Sequence, residues 1–169
     1  MFRPTPRSIW YILAIGGLGV AAFSVALTEW LLLDPCHLCI FQRLLFALAG
    51  LFALAAALGA RVLGYLTVAS ALGGLWSSLY QSWLQLQPPG AVNCIGGELG
   101  PVERLVEWLG QQAPELFLAT GFCEDPGLQI LGLSLANWGA IAFALGAIAA
   151  VWALAASAPR PSARADGDD

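Results

Sequence analysis

Four long apolar runs decide what solvent this chain can fold in. The first goes from about Ile9 to Leu33, interrupted near its end by Thr28, Glu29 and Trp30. The second covers about 39–60, with Gln42 and Arg43 at its start. The third covers about 62–83, directly after Arg61, and the fourth runs from about Leu131 to Ala156. Each is close to the ~20 residues that cross ~30 Å of hydrocarbon as an α-helix. None alternates apolar and polar residues as a barrel strand would. Only 11% of the 169 residues are charged and the mean hydropathy is +0.74, against about 25% charged in soluble domains. Lipid must therefore face much of the surface. The expectation is an all-α membrane protein, a four-transmembrane-helix bundle forming one domain over residues 1–158. Gly50, Gly73, Gly74, Ser77 and Ser78 provide the small side chains that let such helices approach closely.

Arginine placement sets the direction of the spans. Arg3 and Arg7 precede the first span, Arg61 sits in the tight turn between the second and third, and Arg160 and Arg164 follow the fourth. Those positions mark the inner side, with both termini there. Asp34, Glu98, Glu103, Glu107, Glu115, Glu124 and Asp125 fall on the other side, with Arg104 and the membrane-edge Arg43. A cleavable leader is the rival reading of the N-terminus, since Ser24-Val25-Ala26 resembles a small-residue cleavage site. The apolar stretch exceeds the usual ~7–15 residues of a leader core, which favours an uncleaved span. With a net charge of −4, no Lys and scattered Arg, no nucleic-acid groove can be drawn.

The outside connections are unequal. A short one surrounds Leu33-Asp34-Pro35-Cys36, and a long one covers 84–130. In the long loop Val102, Leu105, Val106 and Leu109 recur at helical spacing opposite Glu103, Arg104 and Glu107. This predicts a short amphipathic helix at the membrane interface, the alternative being a loop helix packed on the bundle. The segment 159–169 is polar and expected to be a disordered inner tail.

All four cysteines, Cys36, Cys39, Cys94 and Cys123, fall outside on this topology. Three pairings are possible, and proximity favours Cys36–Cys39 and Cys94–Cys123. The Cys36-His37-Leu38-Cys39 ring is small and gains little from restraining the unfolded chain, which suits a labile, exchange-competent bond. A bridge between Cys94 and Cys123, 29 positions apart, could be a plain staple. Asp34-Pro35 reads as a helix N-cap followed by Pro, placing the cysteine pair in the opening turns of the second span, where the helix dipole favours a thiolate. Arg43, four residues past Cys39, adds a permanent positive charge on the same face. Alone, it could equally snorkel to the headgroups. Glu29 reads as an interfacial carboxylate or a proton donor, and His37 as a solvated loop residue. No metal is expected, because the isolated Cys94 and Cys123 lack the paired spacing of zinc ribbons.

The run Pro35-Cys36-His37-Leu38-Cys39-Ile40-Phe41-Gln42-Arg43 resembles the signature of the DsbB family, the bacterial disulfide bond formation protein B. The order of Leu84-Gln85-Leu86, Cys94, Thr120-Gly121-Phe122-Cys123, Leu131-Gly132-Leu133 and Trp138 extends the resemblance over nearly the whole chain. It implies a quinone-dependent oxidase in the bacterial inner membrane, using ubiquinone or menaquinone from the membrane pool. Its partner would be a periplasmic, thioredoxin-fold oxidant of the DsbA type. It further implies that Cys94 and Cys123 form the loop disulfide that meets this partner, and that Cys36 and Cys39 pass electrons on. Cys39 would face the quinone, with Arg43 and Gln81 beside it. Gln81 stands where some members carry a His, and Asp34 where a basic residue can occur. The DsbA type is itself the established example of a strongly oxidising pair, at about −120 mV against below about −300 mV for structural disulfides. That gap of roughly 180 mV is about 8 kcal/mol, so an inert staple could not oxidise such a partner. Two other readings compete: a vitamin K epoxide reductase-like enzyme, whose quinone-facing cysteine pair falls late in the chain, and a tetraspan scaffold with structural disulfides.

Overall fold

The computed structural model describes residues 5–88 and 100–157. Four long helices account for most of it: α1 (Pro6–Leu31), α2 (His37–Ala57), α3 (Leu63–Leu84) and α6 (Leu135–Ala156). Two short helices, α4 (Pro101–Gln112) and α5 (Pro114–Phe117), and a small hairpin, β1 (Gln129–Ile130) with β2 (Leu133–Ser134), fill the connection between α3 and α6. α1, α2 and α6 are each long and apolar enough to cross a membrane. The expected tail 159–169 lies outside the described residues, as does Cys94.

Helix ends follow local chemistry. Thr5 caps α1 by accepting from the Ser8 N–H, with Pro6 at the first helical position. α1 stops at Leu31, where Leu32 turns left-handed at φ 49°. α2 starts at His37, and its N-cap is Cys36 rather than the expected Asp34. Asp34 is drawn away because its carboxylate accepts the Thr120 hydroxyl at 2.8 Å. The fourth span starts later than expected. Leu131 and Gly132 both have positive φ, at 55° and 78°, which makes the two-residue turn of a hairpin. Ser134 then caps α6 by accepting from the Asn137 N–H.

The bundle core is built from small residues. Ala14, Ala53, Ala57, Ala150 and Ala153 pack around Trp10 at the end carrying the α2–α3 turn. There Arg7 donates to the Ala57 carbonyl (3.1 Å) and Arg61 to the Leu154 carbonyl (3.2 Å), satisfying the C-terminal ends of α2 and α6. α1 and α2 cross closely at Gly17 and Gly50. A Cβ on Gly17 would stand 2.8 Å from the Phe46 carbonyl, and one on Gly50 would stand 2.9 Å from the Leu18 nitrogen. Toward the other end, Phe46 stacks on Phe143 with ring centroids 3.8 Å apart. α4 is amphipathic, as its sequence predicted, and buries Val106 while packing against α2.

Candidate redox site

The short turn before α2 and the segment before β1 are clasped together. Pro35 offers its carbonyl to the N–H groups of Thr120 and Gly121 at 3.0 and 3.1 Å, and the Asp34–Thr120 bond closes the clasp. A Cβ on Gly121 would fall 2.1 Å from the Asp34 carbonyl oxygen, so this approach needs glycine. The clasp carries Cys123 to Cys36. Their side chains lie close enough to interact, and Cys123 also faces the Leu38 backbone N–H. That contact with Cys123, reinforced by the one with Cys39 and by burial, pushes the Cys36 thiol well above the ordinary thiol range. The same Cys36 contact holds Cys123 below its ordinary value, against the opposing effect of burial.

Cys36 and Cys39 sit at the N-cap and third helical position of α2, one turn apart, with Sγ atoms 3.2 Å from each other. Cys36 is buried and Cys39 partly so; these and Cys123 are free thiols in this structure. Sequence proximity pairs Cys123 with Cys94, which lies outside the described residues; the described contact of Cys123 is with Cys36. Gln81, reaching across from α3, donates through Nε2 to Cys39 Sγ at 3.1 Å and to Cys36 Sγ at 3.4 Å. Gln42 on α2 donates to the Gln81 Oε1 at 2.8 Å.

Beside these sulfurs lies a cavity of about 650 Å³ between α1, α2 and α6. Phe23 and Leu27 of α1, Phe46 of α2 and Trp138 of α6 give it apolar walls, while Cys39 and Arg43 bring chemistry to one side. The Arg43 guanidinium donates to the Thr28 hydroxyl. The cavity size suits a small organic ligand, and Arg43 supplies donors without the charge being lost at any working pH.

The structure thus brings together Cys36, Cys39, Cys123, Arg43 and Gln81. Sequence reasoning missed Gln42 as a member of the site, although a lone amide inside an apolar run is itself a signal. It also missed the Asp34–Thr120 clasp, for which residues 86 positions apart offer no local pattern.

Comparison with known proteins points to a single family. The family model described as "Disulfide bond formation protein DsbB" matches residues 6–153. The disulfide bond formation protein B of Dechloromonas aromatica (strain RCB) is 43% identical over 143 residues, covering 82% of this chain and 87% of that one. The protein of the same name from Azoarcus sp. (strain BH72) is 38% identical over 79% of this chain and 82% of its own. Disulfide bond formation protein B 2 of Burkholderia lata is 38% identical over 88% and 90%. With apolar helices fit for a membrane, and Cys36, Cys39 and Cys123 gathered at one end of the bundle, this chain belongs to the DsbB family of disulfide bond formation proteins.

Proposed function

We propose that this protein is a quinone-dependent thiol oxidase of the bacterial inner membrane that reoxidises a periplasmic DsbA-type partner. One observation carries the reading: Cys123, Cys36 and Cys39 form a continuous chain of sulfur contacts that ends at an apolar cavity holding Arg43. A membrane scaffold stapled by two disulfides has no use for such a chain.

In the proposed sequence the reduced partner is oxidised by the Cys94–Cys123 disulfide, through a mixed disulfide with Cys94, leaving both loop cysteines reduced. The Cys123 thiolate then attacks Cys36 of the Cys36–Cys39 disulfide. A Cys36–Cys123 bond forms, and Cys39 leaves as a thiolate. Attack by Cys94 on Cys123 restores the loop disulfide and frees Cys36. Two electrons have then moved from the loop pair to the Cys36–Cys39 pair, with no net change in protons. The lowered Cys123 thiol is the better nucleophile at neutral pH, since the thiolate is the attacking form. A quinone bound in the cavity would supply the two-electron, two-proton acceptor for Cys36 and Cys39. Arg43 would hold a quinone carbonyl oxygen, Thr28 would orient Arg43, and the apolar walls would exclude water.

The same reading takes α3 as a fourth span, with both termini inside. Leu72, Trp76 and Leu79 of α3 are exposed like the apolar faces of its neighbours, while its polar residues Ser77, Ser78 and Gln81 face the bundle. α4 would lie at the outer interface, with Trp108 exposed and Val106 inward.

The test is anaerobic. Solubilised protein, reduced DsbA-type partner and quinone are mixed, and the quinone's ultraviolet absorbance is followed. Loss of quinone in step with new partner disulfide, abolished by Cys39→Ser, is the expected result. Unchanged quinone would leave a stapled membrane scaffold as the better account.

A further inference from the structure

We infer that Gln42 is a positioning residue for the Cys36–Cys39 pair, acting through the carboxamide of Gln81. The inference rests on the pair being redox-active and not on any quinone. Gln42 and Gln81 are only 7% and 3% exposed, in a buried polar patch of the bundle that also holds Ser78. An unpaired amide is costly there, so the orientation of each is dictated by its partners. Gln81 has one oxygen and one NH2 group to place. Its oxygen accepts from Gln42 Nε2, and its NH2 group faces both sulfurs. With Gln42 in place, the reverse orientation would set two NH2 groups against each other and aim a carbonyl oxygen, in place of an N–H donor, at the two sulfurs. Gln42 therefore selects which end of Gln81 meets the cysteines. α6 passes beside the pair at Gly139, where a Cβ would stand 3.2 Å from the Ser78 Oγ and 3.4 Å from the Gln42 Oε1.

This orientation has a redox consequence. An N–H donor stabilises a sulfur bearing negative charge far more than a disulfide sulfur, because charge-assisted hydrogen bonds are the stronger ones. Arg43, one turn on along α2, lines the same cavity as Cys39. Gln81 held in this direction favours the reduced pair, which makes the disulfide more oxidising.

The experiment uses the full chain with Cys94→Ala and Cys123→Ala, so that a single disulfide can form. Solubilised and quinone-free, it is equilibrated with glutathione: two thiols plus one oxidised glutathione give the Cys36–Cys39 disulfide plus two reduced glutathiones. Gln81→Met is expected to raise the oxidation constant about tenfold, which is ~30 mV for a two-electron couple. Gln42→Met is expected to produce a comparable shift, and the double variant no more than Gln81→Met alone. Gln42→Asn, which keeps the amide but falls short of Gln81, should act like Gln42→Met and guards against a folding defect. Thr67→Ala removes another buried α3 polar group, one bonded to its own helix at Leu63, and should shift nothing. An unchanged constant in both Gln42 variants, or additive effects in the double variant, overturns the inference. Because no quinone enters the assay, a protein that fails to reduce quinone can still pass this test.

Discussion

At the scale of single residues, the contact between Cys36 and Cys123 makes the two thiols unequal, and the inequality can be read directly. Cys36 is pushed above the ordinary thiol range by its sulfur neighbours and burial; Cys123 is held below its ordinary value by Cys36. The sign follows: removing Cys36 should move the Cys123 thiol up toward the ordinary value of about 8.5. Cys36→Ala is therefore expected to slow alkylation of Cys123 at pH 7 several-fold and to shift its pH midpoint upward, measured by mass spectrometry over a pH series. Cys36→Ser, which keeps a donor, should retain much of the wild-type rate. A midpoint that stays in place would mean that the Leu38 N–H, not Cys36, sets the Cys123 thiol. Gly121 is tested through the same pair. Gly121→Val drives a side chain into the Asp34 carbonyl, and relieving such a clash costs about 1–3 kcal/mol. The clasp should open, and the yield of Cys36–Cys123 crosslink under mild oxidant should fall sharply while the melting temperature of the bundle changes little.

At the scale of elements, the cavity depends on how closely α1 and α2 cross below it. Gly17 and Gly50 set that distance, and Phe46, whose carbonyl lies against Gly17, is also a cavity wall stacked on Phe143. Gly50→Leu should push α1 away. The expected outcome is a melting temperature lowered by several degrees in detergent and a weakened apparent affinity for quinone in the oxidase assay, with glutathione oxidation of Cys36–Cys39 retained. Loss of stability without loss of quinone affinity would separate the crossing from the cavity. The helices themselves were legible in the sequence, because apolar runs of this length have few other solutions. Their ends were less so. Asp34-Pro35 carries the signature of an N-cap, yet Thr120 competes for the Asp34 carboxylate, and the helix begins at His37 under Cys36. Likewise Leu131 extends an apolar run but occupies a left-handed turn position, which no hydropathy pattern reveals. Of the site, Cys36, Cys39 and Arg43 were legible because they share one helical turn or two. Cys123 against Cys36 was not, because the clasp that joins them is made by backbone groups far apart in sequence.

For the whole molecule, the proposed direction of electron flow requires a particular topology: sulfurs on the outer side, arginine-capped helix ends on the inner side. The chain is built consistently with it. Cys36, Cys123 and the hairpin before α6 gather at one end of the bundle, and Arg7 and Arg61 close the helix ends at the other. A cation near an inner helix C-terminus serves the helix dipole and the positive-inside bias at once, so the two requirements reinforce each other. α3 is the element on which this depends. If α3 did not span, the α2–α3 turn and the start of α6 would have to lie on the same side, and Gln81 could not reach Cys39 from within the membrane. Ala60 in that turn and Gln129 in β1 are both exposed, so each can carry a reporter thiol in a chain whose native cysteines are replaced by alanine. In intact spheroplasts, a membrane-impermeant maleimide is expected to label Gln129→Cys and to spare Ala60→Cys until the membrane is permeabilised. Labelling of both positions from outside would remove α3 as a span, and with it the outward placement of the sulfur chain relative to the arginine-capped end.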